Sequence, residues 1–171
     1  EWQQLDEGFS PLGVDINEGY YEFGTYEIGV ASDFSRKLAG SLRYEGGNFF
    51  NGRLDSWRGS LRFSPMPYIE LTGSYRYNEF FDLGEQNENL YTHLLSTRAR
   101  LALNPRVQLI GSYQWNSANE TDIWNVRFSW EYQPLSFIFL VFNSNKSDDL
   151  LPENRFESQE LIGKITFLRQ F

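Results

Sequence analysis

The chain has 171 residues, of which 18% are aromatic and none is cysteine, and its mean hydropathy is -0.51. The formal net charge of -8 argues against nucleic acid as a partner, because phosphate binding needs a basic surface. The lack of cysteine excludes disulfides, zinc–thiolate sites and thiol nucleophiles. No apolar run approaches the roughly 20 residues of a spanning helix, which excludes a helical membrane protein.

Strand-like segments follow one another along the chain. Nine are predicted, at about 20–32, 38–48, 53–63, 68–80, 90–103, 107–117, 123–133, 135–145 and 160–171. Most span roughly 10 residues, the length of a tilted bilayer crossing. The first segment slips in register near Gly24, where we expect a bulge.

Apolar and polar residues alternate within these segments. The alternation is strictest over 124–132 and recurs over 38–45, 57–63, 69–77 and 107–115. Because side chains alternate faces along a strand, each segment has one apolar and one polar face. Many rings combined with low mean hydropathy are typical of a transmembrane barrel, in which only alternate residues meet lipid.

Segment 135–145 departs from this pattern. It runs from Phe137 to Phe142 without a polar residue. Such a strand is apolar on both faces. We expect it to meet lipid on one side and a plug or partner domain on the other.

The connections alternate between short and long. Short turns are predicted at 33–37, 64–67, 104–106 and 133–134, and longer acidic links at 81–89, 117–122 and 146–159. A shorter link that bears glycine and Asn is predicted at 46–52. Short turns on one side and longer loops on the other are typical of outer-membrane barrels, whose short turns are periplasmic.

The predicted fold is therefore an all-β, antiparallel transmembrane β-barrel of outer-membrane type, with about 8–10 strands in one domain over 1–171. Residues 1–19 would be an extracellular loop or partial strand, and 20–171 would hold the strands. Nine strands is an odd number, whereas single-chain bacterial barrels are normally even. We therefore expect the C-terminal part of a larger barrel. Alternatives are a tenth strand within 1–6 and a soluble sandwich.

The tail over 163–171 resembles the terminal strand of outer-membrane proteins. In those proteins a final Phe after an alternating strand resembles the recognition signal for the barrel-insertion machinery. The resemblance assigns that role to Phe167 and Phe171, while Arg169 departs from the usual apolar residue.

A second resemblance covers about the last 150 residues. It is carried by ordered motifs at 18–23, 32–36, 46–52, 92–94, 104–107, 114–116 and 127–134. They are similar to the C-terminal region of the bacterial family called "domain of unknown function 5916". Full members resemble a carbohydrate-binding-like sandwich fused to an outer-membrane barrel and are far longer, so the resemblance implies location and architecture more than activity.

Charged residues recur on the predicted inner face. They are Arg43, Glu45, Arg58, Arg62, Glu70, Arg76, Arg98, Arg100, Arg127, Glu131 and Lys164. An arginine-rich lumen could select anionic solutes, as charged rings do in pores. The other interpretation is a lattice of Arg–Glu pairs that fills a narrow barrel.

Aromatic residues recur on the predicted outer face. The interface girdle comprises Trp57, Tyr75, Tyr77, Trp115, Trp124, Trp130 and Tyr132. Further rim aromatics, including Phe49, Phe50 and Phe80, could join this girdle or stack on sugars.

No residue pattern indicates a catalytic, cofactor or metal site. His93, the only histidine, falls on the outer face without a nucleophile-elbow motif beside it. The paired acids Glu120 with Asp122 and Asp148 with Asp149 lack calcium-loop spacing.

We therefore predict a non-enzymatic protein of a Gram-negative outer membrane, acting as an anchor, a structural subunit or a narrow pore. Its expected partners are lipid and lipopolysaccharide, the barrel-insertion machinery, and another chain or a missing N-terminal region. A soluble glycan-binding β-sandwich is the alternative, and a membrane-embedded hydrolase that relies on His93 is the third.

Overall fold

The computed structural model describes residues 2–5, 7–147 and 156–168, and over these ranges the chain is all-β with antiparallel pairing. Its elements are β1 (Trp2–Leu5), a 3-10 turn (Pro11–Gly13), β2 (Gly19–Glu22), β3 (Thr25–Ala31), β4 (Leu38–Phe49), β5 (Gly52–Met66), β6 (Ile69–Leu83), β7 (Glu88–Asn104), β8 (Val107–Asn116), β9 (Thr121–Gln133), β10 (Ser136–Ser147) and β11 (Phe156–Ile165). Among these described residues, no helix has the length and apolar character needed to cross a membrane.

Strands β3 to β11 form one nine-stranded meander, in which each strand pairs with the next strand along the chain. The predicted all-β, antiparallel fold is thereby confirmed. The first predicted strand is divided near Gly24, because β2 pairs with β1 in a separate hairpin while β3 joins the large sheet. The last strand begins and ends earlier than predicted, at Phe156 and Ile165.

The sheet is open between its first and last strands. Within the described ranges, β3 and β11 are each hydrogen-bonded on one side only and do not pair with one another. The predicted closure into a barrel is therefore not confirmed.

The strands in the middle of the sheet are longer than predicted. β5 and β6 have 15 residues each and β7 has 17. The predicted links 46–52 and 81–89 shorten to 50–51 and 84–87. We call the strand ends that these two links join the loop end of the sheet. The opposite strand ends, which are joined by the connections at 67–68, 105–106 and 134–135, are called the turn end.

The register sorts every strand into the same two faces, because directly opposed residues of an antiparallel pair project to the same side. One row, for example, runs through Arg43, Arg58 and Arg76, and the neighbouring row through Tyr44, Trp57 and Tyr77. We call the side of the first row the polar face and the side of the second row the apolar face.

A small hydrophobic core lies at the loop end. Val14 and Ile16 are buried against Phe80 and Leu83, and Leu83 is fully buried. Residues 7–24, here called the N-terminal cap, thus pack on the extended ends of β5 to β7. This packing covers the loop ends of these strands.

Candidate functional site

All eleven charged residues predicted to face inward lie on the polar face. Arg43 opposes Arg58, which opposes Arg76, and Glu70 opposes Arg100. Because opposed residues project to the same side, these pairs place the charged residues of neighbouring strands on one face. The whole set on this face is Arg43, Glu45, Arg58, Arg62, Glu70, Arg76, Arg98, Arg100, Arg127, Glu131 and Lys164. Whether this face lines a lumen stays a prediction.

The seven aromatic residues of the predicted girdle lie together on the apolar face. They are Trp57, Tyr75, Tyr77, Trp115, Trp124, Trp130 and Tyr132. Toward the loop end their rings touch across strands, with centroids 4.7 Å apart for Tyr44 and Trp57 and 4.4 Å apart for Tyr113 and Trp124. Trp130 and Tyr132 lie toward the turn end and contact each other edge to face at 6.3 Å.

His93 lies within the loop-end aromatic band of the apolar face. Its ring is 5.1 Å from that of Tyr77, 5.7 Å from that of Tyr91 and 6.1 Å from that of Trp115. The Tyr75 hydroxyl and Nδ1 of His93 are 2.6 Å apart. The imidazole is thus held by aromatic side chains and a phenol.

Charged side chains on the apolar face lie near the loop end, where partners hold them. Arg53 donates to both carboxylate oxygens of Asp55 at 2.9 Å, and the Tyr113 hydroxyl donates to Asp122 at 2.5 Å. Asp122 therefore accepts a hydrogen bond between neighbouring strands. The structure does not arrange Asp122 and Glu120 as part of a metal site within the described residues. Within the described ranges, no three acidic or histidine side chains could hold a metal ion, and Asp148 and Asp149 lie outside them.

Toward the loop end, polar side chains of the polar face bond to one another. The Ser56 hydroxyl donates to Oδ1 of Asn78 at 2.8 Å, and Nδ2 of Asn78 donates to the Thr92 hydroxyl at 3.0 Å. This row of hydrogen bonds crosses β5, β6 and β7 at one level of the sheet. It leaves little hydrogen-bonding capacity for a ligand at that level.

The N-terminal cap covers the loop end of the sheet, further along the strands than this row of hydrogen bonds. The Glu85 backbone N–H donates to the Asp15 carbonyl at 3.2 Å, and Nδ2 of Asn17 donates to Oε1 of Glu85 at 2.6 Å. Asn51 bridges the two neighbouring turns, since its amide donates to the Gly84 carbonyl at 2.8 Å and accepts from the Gly84 N–H at 3.0 Å.

Three of the predicted rim aromatics belong to this capped region. Phe80 is 6% exposed within the core, and Phe49 and Phe50 pack against it. Their rings contact one another, with Phe49 centroids 4.9 Å from Phe50 and 5.3 Å from Phe80. Phe80 is therefore not available for sugar stacking, and Phe49 and Phe50 are half-buried beside it. The sequence signal for this position is the even spacing along β6: Phe80 lies two residues after Asn78 and therefore on the polar face, not on the apolar face.

The middle of the polar face differs from its capped end. Serines of β4 to β7 stand in one row, in which Ser41 opposes Ser60, Ser60 opposes Ser74 and Ser74 opposes Ser96. An open groove of about 350 Å³ lies along this row. We call it the serine groove, and its polar lining is Ser60, Arg62, Thr72, Ser74, Ser96, Arg98, Ser112 and Gln114.

Ion pairs neutralise only part of the cationic charge of the polar face. Arg62 pairs with Glu70 at 2.6 Å, and Arg43 pairs with Glu27 at 3.2 Å. Over the residues that the structure describes, no carboxylate lies within ion-pair distance of the following arginines: Arg58, Arg76, Arg98, Arg100 and Arg127. A continuous Arg–Glu lattice is thus missing from this part of the chain.

Strand β10 carries apolar residues on the polar face, as its sequence predicts. Phe137 and Phe139 stack there with centroids 5.5 Å apart. The nearby tail is anchored to the same strand, since Phe137 and Thr166 exchange backbone hydrogen bonds of 3.1 and 2.8 Å. Phe167 follows and is exposed, while Arg169 and Phe171 lie outside the described residues.

No family model matches the chain, and no curated protein or solved structure was found that is similar to it. The resemblance to the "domain of unknown function 5916" family therefore stays a prediction.

Proposed function

We propose that the nine-stranded sheet is part of the wall of an outer-membrane β-barrel in a Gram-negative bacterium, serving as an anchor, a structural subunit or a narrow pore. The observation that carries the proposal is the separation of side chains between the two faces. The predicted inner charges share one face, and the girdle aromatics share the other.

The dimensions of the apolar face support this proposal. Trp124 and Tyr132 lie eight residues apart on β9, about 26 Å along an extended strand. Strands that cross outer-membrane barrels span about 9–11 residues at a tilt of roughly 45° and are flanked by aromatic girdles. Between these two rings, Val126 and Phe128 occupy the apolar face, and no charged residue interrupts them there.

The direction of the edge strands supports closure by further strands. In an antiparallel sheet of nine strands, β3 and β11 run the same way. Closing the sheet with antiparallel pairs alone therefore needs an odd number of added strands, from another chain or another region of the protein. Open edges are not tolerated in lipid, because their backbone groups would lack hydrogen-bond partners.

Quenching of tryptophan fluorescence by brominated lipid tests the lipid-facing surface. Variants that retain one tryptophan each are reconstituted into vesicles of brominated and unbrominated phosphatidylcholine. We expect strong quenching of Trp57, Trp115, Trp124 and Trp130. Trp2, exposed on β1 outside the large sheet, is the matched control and should be quenched little.

Equal quenching of all five tryptophans, or none, contradicts the proposal. A protein that stays soluble without detergent would favour the alternative of a glycan-binding sandwich, whose apolar face packs on a second sheet. Heat-modifiable migration on a detergent gel is the independent test of a closed barrel. Planar-bilayer recordings separate the roles, since an anion-selective current indicates a pore and a silent membrane indicates an anchor.

A further inference from the structure

We propose that the serine groove binds a phosphate or sulfate group of a small soluble organic anion. The inference deepens the proposed function, on which it rests, because it assigns a ligand class to the polar face. It is carried by the juxtaposition, in one groove, of hydroxyl groups without side-chain hydrogen bonds and the guanidinium of Arg98, which forms no ion pair within the described residues.

The first support is the unused hydrogen-bonding capacity of the groove. Within the described part of the chain, no side-chain hydrogen bond is found for the following groove residues: Thr72, Ser74, Ser96, Arg98, Ser112 and Gln114. Arg98 does act on the Glu70 carboxylate through its charge. At the loop end of the same face, Ser56, Asn78 and Thr92 use theirs on one another. The groove is therefore a level of this face where hydroxyl and amide donors are free to meet a ligand.

The second support is the placement of arginines on both sides of the serine row. Arg58 and Arg76 lie two residues toward the loop end from Ser60 and Ser74, and Arg98 lies two residues toward the turn end from Ser96. Two residues span about 6.6 Å of an extended strand. Arg98 lines the groove, whereas Arg58 and Arg76 lie just outside its lining. An extended guanidinium can bridge about 6.6 Å, the separation given above, so cations from both sides can reach an anion above the serines.

The third support is the like-charge contact between strands. Arg58 opposes Arg76 directly, and neither forms an ion pair in the described residues. Like charges in directly opposed positions destabilise a sheet. Although this pair lies outside the groove lining, an anion bound in the neighbouring row would reduce the repulsion.

The groove chemistry selects the ligand class. Guanidinium groups bind phosphate through paired, charge-assisted hydrogen bonds, and each hydroxyl adds one donor to a further oxygen. A volume of about 350 Å³ lies at the lower end of small-molecule sites and exceeds a single inorganic ion. A phosphorylated or sulfated molecule of about monosaccharide size fits these requirements.

Isothermal titration of the full chain in neutral detergent tests the site. The probes are glucose 6-phosphate, inorganic phosphate and, as the uncharged control, glucose. We expect saturable binding of glucose 6-phosphate, weaker binding of inorganic phosphate and none of glucose. Affinity should fall as sodium chloride is raised, because salt screens charge attraction.

Three variants locate the binding. Arg98→Gln should weaken glucose 6-phosphate binding about tenfold or more, since it removes charge-assisted hydrogen bonds. Ser74→Ala combined with Ser96→Ala should weaken it severalfold while keeping every charge. Arg106→Gln, in the exposed turn between β7 and β8, removes the same charge elsewhere and should leave the affinity unchanged.

Absence of saturable binding, or equal weakening by Arg98→Gln and Arg106→Gln, overturns the site. Competition by a short-chain phosphatidylglycerol would support an oxyanion site whose phosphate comes from a lipid, and lack of competition would support the soluble anion. The tryptophan quenching described above is recorded on the same preparations. Quenching without anion binding overturns only the site, and anion binding without quenching overturns only the membrane proposal.

Discussion

The polar face is built in two ways along its strands. At the loop end, Ser56, Asn78 and Thr92 bond to one another, and the N-terminal cap covers the level beyond them. In the serine groove, Ser74, Ser96 and Arg98 form no side-chain hydrogen bond or ion pair within the described residues. The same alternating pattern thus supports internal stability at one level and open binding capacity at another.

The difference follows from what lies above each level. Near the cap, water is displaced by Val14 and Ile16, so polar groups left without partners would cost free energy. The groove is open, and its hydroxyl and guanidinium groups can be hydrated until a ligand replaces the water. Stability should therefore be concentrated at the capped end and ligand sensitivity in the groove.

The largest expected effect comes from emptying the core beneath the cap. Leu83→Ala should lower the free energy of unfolding by about 2–5 kcal/mol, because Leu83 is fully buried. Urea unfolding in detergent, followed by tryptophan fluorescence, measures the change. Leu103→Ala is the matched control: Leu103 is 85% exposed, and its loss should change the value by less than about 0.5 kcal/mol.

The next effect comes from the close approach of the cap to Gly84. This glycine has a φ of +73°, and an added Cβ would lie 2.1 Å from Cγ1 of Val14. Gly84→Ala should therefore displace the cap and cost about 1–3 kcal/mol. Limited proteolysis should cleave residues 7–24 faster in this variant.

Gly59→Ala is the control for the glycine prediction. No atom lies within 4 Å of the Cβ it would add, and Gly59 is a strand residue outside the cap. Equal cleavage of the cap in both variants would show that Gly84 does not hold it.

A smaller effect distinguishes the two levels of the polar face most directly. Thr92→Val removes the hydroxyl that accepts from Asn78 and should cost about 1 kcal/mol. Thr72→Val makes the same change in the serine groove, where the hydroxyl has no protein partner, and should be nearly neutral for stability. Urea midpoints of the two variants give the comparison, and equal losses would contradict it.

The smallest effect is expected at the turn before β4. The Ser35 N–H donates to the Asp33 carboxylate at 2.9 Å, and this bond, with one from the Ser35 hydroxyl, lowers the pKa of Asp33 below its ordinary value. A lowered pKa in the folded state means that the turn is stabilised above the ordinary pKa. This contribution is lost as the pH falls through the lowered value.

Amide hydrogen exchange at Ser35, measured by NMR over this acidic range, should accelerate once the intrinsic pH dependence of exchange is subtracted. Asp33→Ala should abolish the pH-dependent part. If the pH dependence of exchange at Ser35 is the same in Asp33→Ala, a group other than Asp33 causes it.

The alternation within single strands was enough to predict the two faces. Arg127 and Trp130 fall on opposite faces because the period of two is a local property of an extended backbone. Strands with a clear alternation could therefore be assigned their two faces locally. β10 is an exception, because its apolar run from Phe137 to Phe142 does not alternate and only pairing assigns its faces.

The cap and the ion pairs were beyond this kind of prediction. Val14 meets Leu83 across a long separation in sequence, and its short irregular segment has no period to assign a face. Likewise, alternation places Arg98 and Glu70 on one face, but it cannot tell that Glu70 bonds to Arg62. Both depend on contacts between distant segments, which the local pattern does not contain.

The meander has a consequence for the order of folding. Each strand of the large sheet pairs with its immediate neighbour, so closing each hairpin costs little chain entropy. The cap is different, because Asn17 reaches Glu85 across 68 positions of the chain. Its docking surface comes from the ends of β5, β6 and β7 and exists only after these have paired. The N-terminal cap is thus a late element of assembly, although it is synthesised before the sheet that it covers.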